Sequence, residues 1–316
     1  MKQLFLIAIF IIYAFELSAQ ISTTGVTEIS NDIENAAYDS TINFLGNNVH
    51  QYIGQVLYLK GKSESLRQYG YDGFVLNFNK STISSRNVYK CCDSHYSKYS
   101  ELAGRYFEVI DVHEHPQASE NRSKYGSTYF LELREQESGD KVYFDYRAEY
   151  KHSFPFITVG YFEKLKSTNL VNRYVIRGRN WHGDDSPMTD IHTGNPVNFE
   201  PGSVWEIVDL TIEERFYSMV FLIQNNRSET IPIRPFLISD RNVFKYEDAK
   251  LYETKFGQED WQTILTGNVK IGFTEEMAKL AWGEPSQINR SSRGSDQWVY
   301  DGQYLYFENG KLVAWN

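Results

Sequence analysis

The sequence predicts a mainly β protein: two tandem small β barrels, followed by a small α+β domain with two helices on a three-stranded antiparallel sheet. Three observations carry this reading. The chain holds 23 Tyr and 20 Phe, and aromatic and β-branched residues favour strands. From Gln51 onward, short alternating segments are separated by turn residues, the pattern of a barrel or sandwich. From about Phe256 the apolar period changes to that of a helix.

The first element is an export signal. Lys2 supplies a positive start, Leu4 to Phe15 is an unbroken apolar run, Glu16 ends it, and Ser18-Ala19 offers small residues for cleavage. The run is shorter than the ~20 residues a membrane-spanning helix needs. Residues 1–19 are therefore expected to be a signal peptide, and the mature chain to be secreted or periplasmic, with no transmembrane segment after cleavage. The ending Leu-Ser-Ala-Gln is similar to signal peptides of Bacteroidetes-type bacteria.

Composition bounds the partners. A net charge of −9 argues against nucleic acid or anionic lipid, which both demand a basic surface. The only cysteines, Cys91 and Cys92, are adjacent and cannot staple distant segments. As strand neighbours their side chains would point to opposite faces. A disulfide between them is the strained alternative.

Residues 20–50 are polar and weakly patterned and predict an N-terminal lead-in. Residues 51–152 and 153–250 then predict one barrel each. Gln55 to Leu59, Tyr106 to Ile110 and Thr128 to Leu133 read as strands, and Ser138-Gly139-Asp140 as a hairpin turn into Lys141 to Phe144. The layout recurs. Gly104-Arg-Tyr-Phe-Glu-Val-Ile-Asp-Val112 stands against Gly202-Ser-Val-Trp-Glu-Ile-Val-Asp-Leu210, and Ile53-Gly54 against Val159-Gly160. A period of about 100 residues fits two copies of one small domain rather than a solenoid. The first copy carries extra chain holding Cys91, Cys92, Asp93 and His95, expected on a surface loop.

In residues 251–316, Trp261, Ile264 and Leu265 share a helical face, and Gly267 ends that helix. Thr274 is an N-cap followed by Glu275 and Glu276. Met277, Leu280 and Ala281 form the buried stripe, and Gly283 with Pro285 stops the helix. Strands at Gln297 to Tyr300, Tyr304 to Phe307 and Lys311 to Trp315 are joined by the two-residue turns Asp301-Gly302 and Asn309-Gly310.

Here the residues match a known pattern. Gly267-Asn-Val-Lys-Ile-Gly-Phe-Thr-Glu-Glu-Met277, Trp282-Gly-Glu-Pro285, Gln297-Trp-Val-Tyr300 and Tyr304-Leu-Tyr-Phe-Glu-Asn-Gly-Lys-Leu312 resemble the SmpA/OmlA family. That resemblance implies a fold like the β-lactamase-inhibitor-protein domains and a protein-binding role in the bacterial envelope. The family's accessory lipoprotein carries a lipidated N-terminal Cys and lacks a long β-rich region, so the chain departs from it in both respects. The two β units resemble bacterial SH3-type barrels.

Candidate chemistry is sparse. His182, Asp184, Asp185, Asp190 and His192 are of metal-binding types, but Gly183, Ser186, Pro187 and Gly194 mark a solvated loop. His113 and His115 would share a strand face, and two ligands do not make a zinc site. No Gly-x-Ser-x-Gly elbow, phosphate loop or His-Glu-x-x-His helix is present. In the last domain Trp298 with Tyr300, and Tyr304 with Tyr306, read as the aromatic outer face of the sheet, with Val299, Leu305 and Phe307 on the helix side. That face suits a partner or a contact with the preceding barrel. The expectation is an exported non-catalytic binding protein for an envelope protein or a cell-wall or carbohydrate ligand, with no cofactor. A metal-dependent hydrolase using the His182 to His192 loop, and an inhibitor of a secreted enzyme, are the alternatives.

Overall fold

The structure, a computed structural model, describes residues 37–121, 125, 128–177, 188–213, 217–239, 243–292 and 294–316. The expected signal peptide lies outside the described residues. Among them, no helix is long and apolar enough to cross a membrane.

The protein is mainly β, with four antiparallel sheets. The first unit contains β1 (Val56–Leu59), α1 (Glu64–Arg67), β2 (Phe74–Val75), β3 (Cys91–Asp93), β4 (Tyr96–Ser97), α2 (Tyr99–Leu102), β5 (Tyr106–Glu114), β6 (Thr128–Glu135), β7 (Lys141–Arg147) and β8 (Phe156–Thr158). The second contains α3 (Val159–Asn169), β9 (Arg173–Ile176), β10 (Val204–Glu213), β11 (Ser218–Asn225), β12 (Thr230–Ile233) and β13 (Val243–Lys245). The third contains α4 (Tyr246–Phe256), α5 (Gln258–Leu265), α6 (Glu275–Trp282), β14 (Gln287–Asn289), β15 (Asp296–Val299), β16 (Tyr304–Glu308) and β17 (Lys311–Trp315).

The first sheet runs β2-β7-β6-β5-β1-β8 and the second β12-β11-β10-β9-β13. Apart from the added β2, the two orders correspond strand for strand. Registers correspond as well: Glu108 faces Val56 as Glu206 faces Arg173, and Leu59 faces Phe156 as Ile176 faces Val243. Each long strand carries a bulge at the same point, at Ile110 in β5 and Val208 in β10. The following Asp111 and Asp209 each accept a hydrogen bond from the next backbone N–H at 2.8 Å. The Gly54 N–H reaches the Val109 carbonyl at 2.8 Å, and the Val171 N–H reaches that of Ile207 at 3.0 Å. Gly54 and Val171 both hold positive φ, +78° and +63°. The counterpart of Gly54 is thus Val171, whereas Val159-Gly160 opens α3. The strand pairing describes open sheets: neither end of the first or second sheet pairs with the other among the described residues.

Three cores lie in series. Leu57, Leu59, Phe107 and Phe156 point into the first, while Tyr58 and Ile157, on the other face of the same strands, point into the second. Ile176 and Val243 likewise serve the second core, and Val175 and Phe244 the third. The described part of the expected lead-in is itself built into the first core. Leu45 and Val49 are buried there, and the Asn43 side chain bonds the Phe156 carbonyl and the Thr158 N–H. Its amide gives that backbone a partner, which composition does not show.

The third unit has four strands, β14-β15-β16-β17, rather than three. Thr274 caps α6, with the Met277 N–H donating to its Oγ1 at 3.2 Å. The expected aromatic face is corrected. The two-residue turn sets Val299 opposite Tyr304 and Trp298 opposite Leu305, and cross-strand partners share a face. Trp298 therefore lies on the helix side, fully buried with Leu305, Phe307 and Leu312, while Val299 joins Tyr304 and Tyr306 outside. Tyr300, at the rim, donates its hydroxyl to the Gly283 carbonyl at 3.0 Å and packs edge-on against Trp282. Trp298→Ala should destabilise the chain by about 3–5 kcal/mol. Tyr304→Ala should cost under about 1 kcal/mol. Denaturant unfolding of both variants, followed by a probe in the third unit, measures the difference.

Candidate binding cleft

A cleft of about 680 Å³ opens on the first unit, where three segments distant in sequence meet. Its walls are the loop after β2 (Phe78 to Ile83), the turn after β5 (His115, Pro116, Gln117) and the end of β7 with the turn that follows it (Asp145, Arg147, Tyr150). Asn87 fixes the first wall. It is buried, its Oδ1 accepts from the Asn77 N–H at 2.9 Å, and its amide donates to the carbonyls of Asn77 and Ser81 at 2.9 and 3.1 Å. A loop so tied by one side chain is preformed.

β7 alternates buried Val142, Phe144 and Tyr146 with outward Tyr143, Asp145 and Arg147, so the pleat delivers two charges to the cleft side. Phe130 in β6 sits between His113 and Asp145 in the pairing. Phe78 lies over this row, stacked on His113 at 4.8 Å between ring centroids. The His113 Nε2 is 2.9 Å from Glu132, which also pairs with Lys141 at 2.6 Å. Burial raises the Glu132 carboxyl, but the bonds from Lys141 and His113 outweigh it and leave the carboxyl below its ordinary value. His115 stacks on Tyr125 at 4.2 Å, and its Nδ1 accepts the Gln117 N–H at 3.2 Å. That bond places the ring proton on Nε2 in this geometry.

Asp145 is the group out of balance. Its Oδ2 lies 3.2 Å from the Arg147 guanidinium, yet the buried Oδ1 accepts no hydrogen bond. Burial holds the carboxyl above its ordinary value, against the pull of Arg147. A buried carboxylate oxygen without a donor is costly, and such groups cluster at functional sites.

The residues singled out in the sequence are brought together only in part. His113 and His115 do lie on one side of β5 and its continuation, but the first is committed to Glu132 and the second to ring stacking. Of the expected loop, His182, Asp184 and Asp185 lie outside the described residues. Asp190 is buried, and both its oxygens are occupied: Oδ2 accepts from the Thr230 N–H at 2.6 Å, and Oδ1 from Thr193 and His192 at 2.7 and 3.1 Å. Among the described residues no cluster of three His, Cys, Asp or Glu is placed to hold a metal. Cys91 and Cys92 are bonded to each other rather than pointing apart, and the β3–β4 register slips between Cys91 and Asp93. Phe78, Tyr125, Asp145, Arg147 and Tyr150 were not legible as a site. The one local signal is the outward polar series on β7.

No protein family, curated protein or solved structure matched this chain.

The bonds to Asp190, led by the one from Thr230, bring its carboxyl down to about 2. A carboxyl lowered on folding stabilises above the ordinary carboxylate range and loses that contribution as pH falls toward 2. Asp190→Asn should therefore lower the melting temperature clearly at pH 7. The gap to wild type should narrow steadily between pH 4 and pH 2 in thermal scans.

Proposed function

We propose that this chain is an exported, non-catalytic binding protein of the bacterial envelope, whose ligand occupies the cleft of the first unit. The observation that carries the reading is Asp145, a mostly buried carboxylate with one oxygen lacking a hydrogen-bond donor, among the residues lining a preformed, ring-lined cleft. An enzyme would need a reacting group with a positioned partner. The imidazoles here are engaged structurally, by Glu132 and by Tyr125. Rings at Phe78, Tyr125 and Tyr150 suit apolar parts of a ligand. The carboxylate suits an ammonium or amide donor, and Arg147 suits an acceptor. Together these fit a peptide segment, as found in an envelope protein or in the peptide portion of a cell wall.

The shared strand order and register support reading the two β units as tandem barrel-like domains of SH3 type. The resemblance to SmpA/OmlA proteins supports a partner-binding third unit. The apolar N-terminal run supports export to a secreted or periplasmic location, and N-terminal sequencing of the protein from its native host should find a mature chain beginning near Gln20. An intact Met1 on cytoplasmic protein would overturn the export reading.

Co-sedimentation with purified peptide-crosslinked cell wall, and capture from solubilised envelope, test the cleft. Tyr150→Ala should weaken retention at least tenfold, about 1.4 kcal/mol or more. Asp145→Asn should also weaken it. A carboxyl raised on folding costs stability above its folded pKa. Asp145→Asn should thus melt no lower than wild type at pH 7 while binding worse. Unchanged retention in both variants, or a loss tracking lost stability, would refute the assignment.

A further inference from the structure

The outer face of the third sheet is unlike the cleft in every respect. Two adjacent rows cross it. One is Gln287, Val299 and Tyr304; the other is Asn289, Gln297, Tyr306 and Ala314. None is charged. The amides are linked along β14 and across to its neighbours: Gln287 donates to Asn289 at 2.7 Å, Asn289 to Gln297 at 2.9 Å, and Gln297 to the Tyr306 hydroxyl at 3.1 Å. Each amide donor in this series is directed at the next side chain's oxygen, so the rows hold fixed orientations. Four strands span about 14 Å. Charge lies at the ends of the sheet: Arg290 pairs with Asp296 at 2.7 Å and Lys311 lies opposite Glu308 at one end, and Asp301 sits in the turn at the other.

We propose that this face binds a neutral glycan chain. The argument is electrostatic and geometric. A charged polymer would find no counter-charge on these rows, and an anionic one would also meet the chain's net charge of −9. A protein anchor needs a pocket, and a flat ladder of amides and phenols offers none. A neutral sugar chain presents alternating hydroxyls, which both donate and accept, and apolar C–H surfaces. Amides and a phenol hydroxyl match the former, and the rings of Tyr304 and Tyr306 with Val299 match the latter. This site is separate from the first-unit cleft, and its test is separable from that of the cleft.

Affinity electrophoresis of the full chain in gels holding hydroxyethyl cellulose or dextran, with polygalacturonic acid as the anionic control, decides it. Retardation is expected in at least one neutral gel and not in the anionic one. Tyr304→Ala with Tyr306→Ala should raise the Kd at least tenfold without changing thermal unfolding of the third unit. Tyr306→Phe, which keeps the ring, should raise it only two- to fivefold. Tyr150→Ala in the cleft should leave retardation unchanged. Absence of retardation in both neutral gels, retardation by the anionic polymer alone, or full retention in the Tyr304/Tyr306 variant would overturn the proposal. So would loss of retardation in Tyr150→Ala, which would transfer glycan binding to the cleft.

Discussion

The architecture depends on strands that are buried on both faces. In β1, Leu57 and Leu59 fill the first core while Tyr58 fills the second. The paired β8 does the same with Phe156 and Ile157. At the equivalent place one unit later, Ile176 and Val243 fill the second core while Val175 and Phe244 fill the third. Full burial of one such side chain contributes about 1.5–3 kcal/mol. Each unit is therefore completed by its predecessor. The helix leaving each pair extends the arrangement, with α3 placing Val159 and Phe162 in the second core and α4 placing Ala249 in the third. A cut at residue 251 would fall inside α4 and part Phe244 and Ala249 from the third core that they fill.

The bulges follow from the same demand. β5 must pair with β1 near its start and with β6 along its length, and the extra residue at Ile110 bends it so that both ladders close. Asp111 supplies an acceptor for a backbone N–H beside the irregularity. The repetition of bulge, Asp and positive-φ residue in the second unit shows why the nine-residue match of Gly104 to Val112 with Gly202 to Leu210 was legible in the sequence. It marks a local geometry, the bulge and its Asp acceptor, that both units share. The opening motif Ile53-Gly54 is not matched by Val159-Gly160, because Gly54 and Val171 meet the same backbone demand with different residues.

Legibility elsewhere tracked sequence distance. The cap at Thr274, the turn glycines and the apolar stripe of α6 are local and were readable. β14, the role of Asn43 and the continuity of the cores depend on contacts far along the chain. Trp298 is the instructive error, because the information to place it was present. A two-residue turn at Asp301-Gly302 fixes the pairing, so Trp298 must share a face with Leu305 and Phe307. Parity within each strand pairs Trp298 with Tyr300 and Tyr304 with Tyr306, and only the turn relates one strand's faces to the next. The cleft was hidden for a different reason. Phe78, His115 and the pair Asp145 and Tyr150 come from three segments, and their meeting is a property of the sheet order, not of any one segment.

Duplication also isolates what belongs to the site from what belongs to the scaffold. Leu131 and Phe221 are equivalent, since each follows the bulge opposite Val112 and Leu210. Their partners Phe144 and Ile233 are then equivalent, and both are buried. One step on, the alignment sets Asp145 against Arg234, and two further on Arg147 against Phe236. On the long strands, His113 stands against Thr211 and His115 against Glu213. The core positions are kept apolar in both copies while every one of these outward positions differs in charge or type. Phe236 is largely exposed and Arg234 lies over its ring at 6.0 Å, and the second copy's own buried carboxylate oxygen is on Glu213, at the position of His115. Shared scaffold thus accounts for the bulges, the register and the serial cores, whereas Asp145 and the stacked imidazole at His115 have no scaffold role that the second copy reproduces. Positions whose residues differ between the two copies are not demanded by the shared scaffold, and the proposed cleft is lined by such positions.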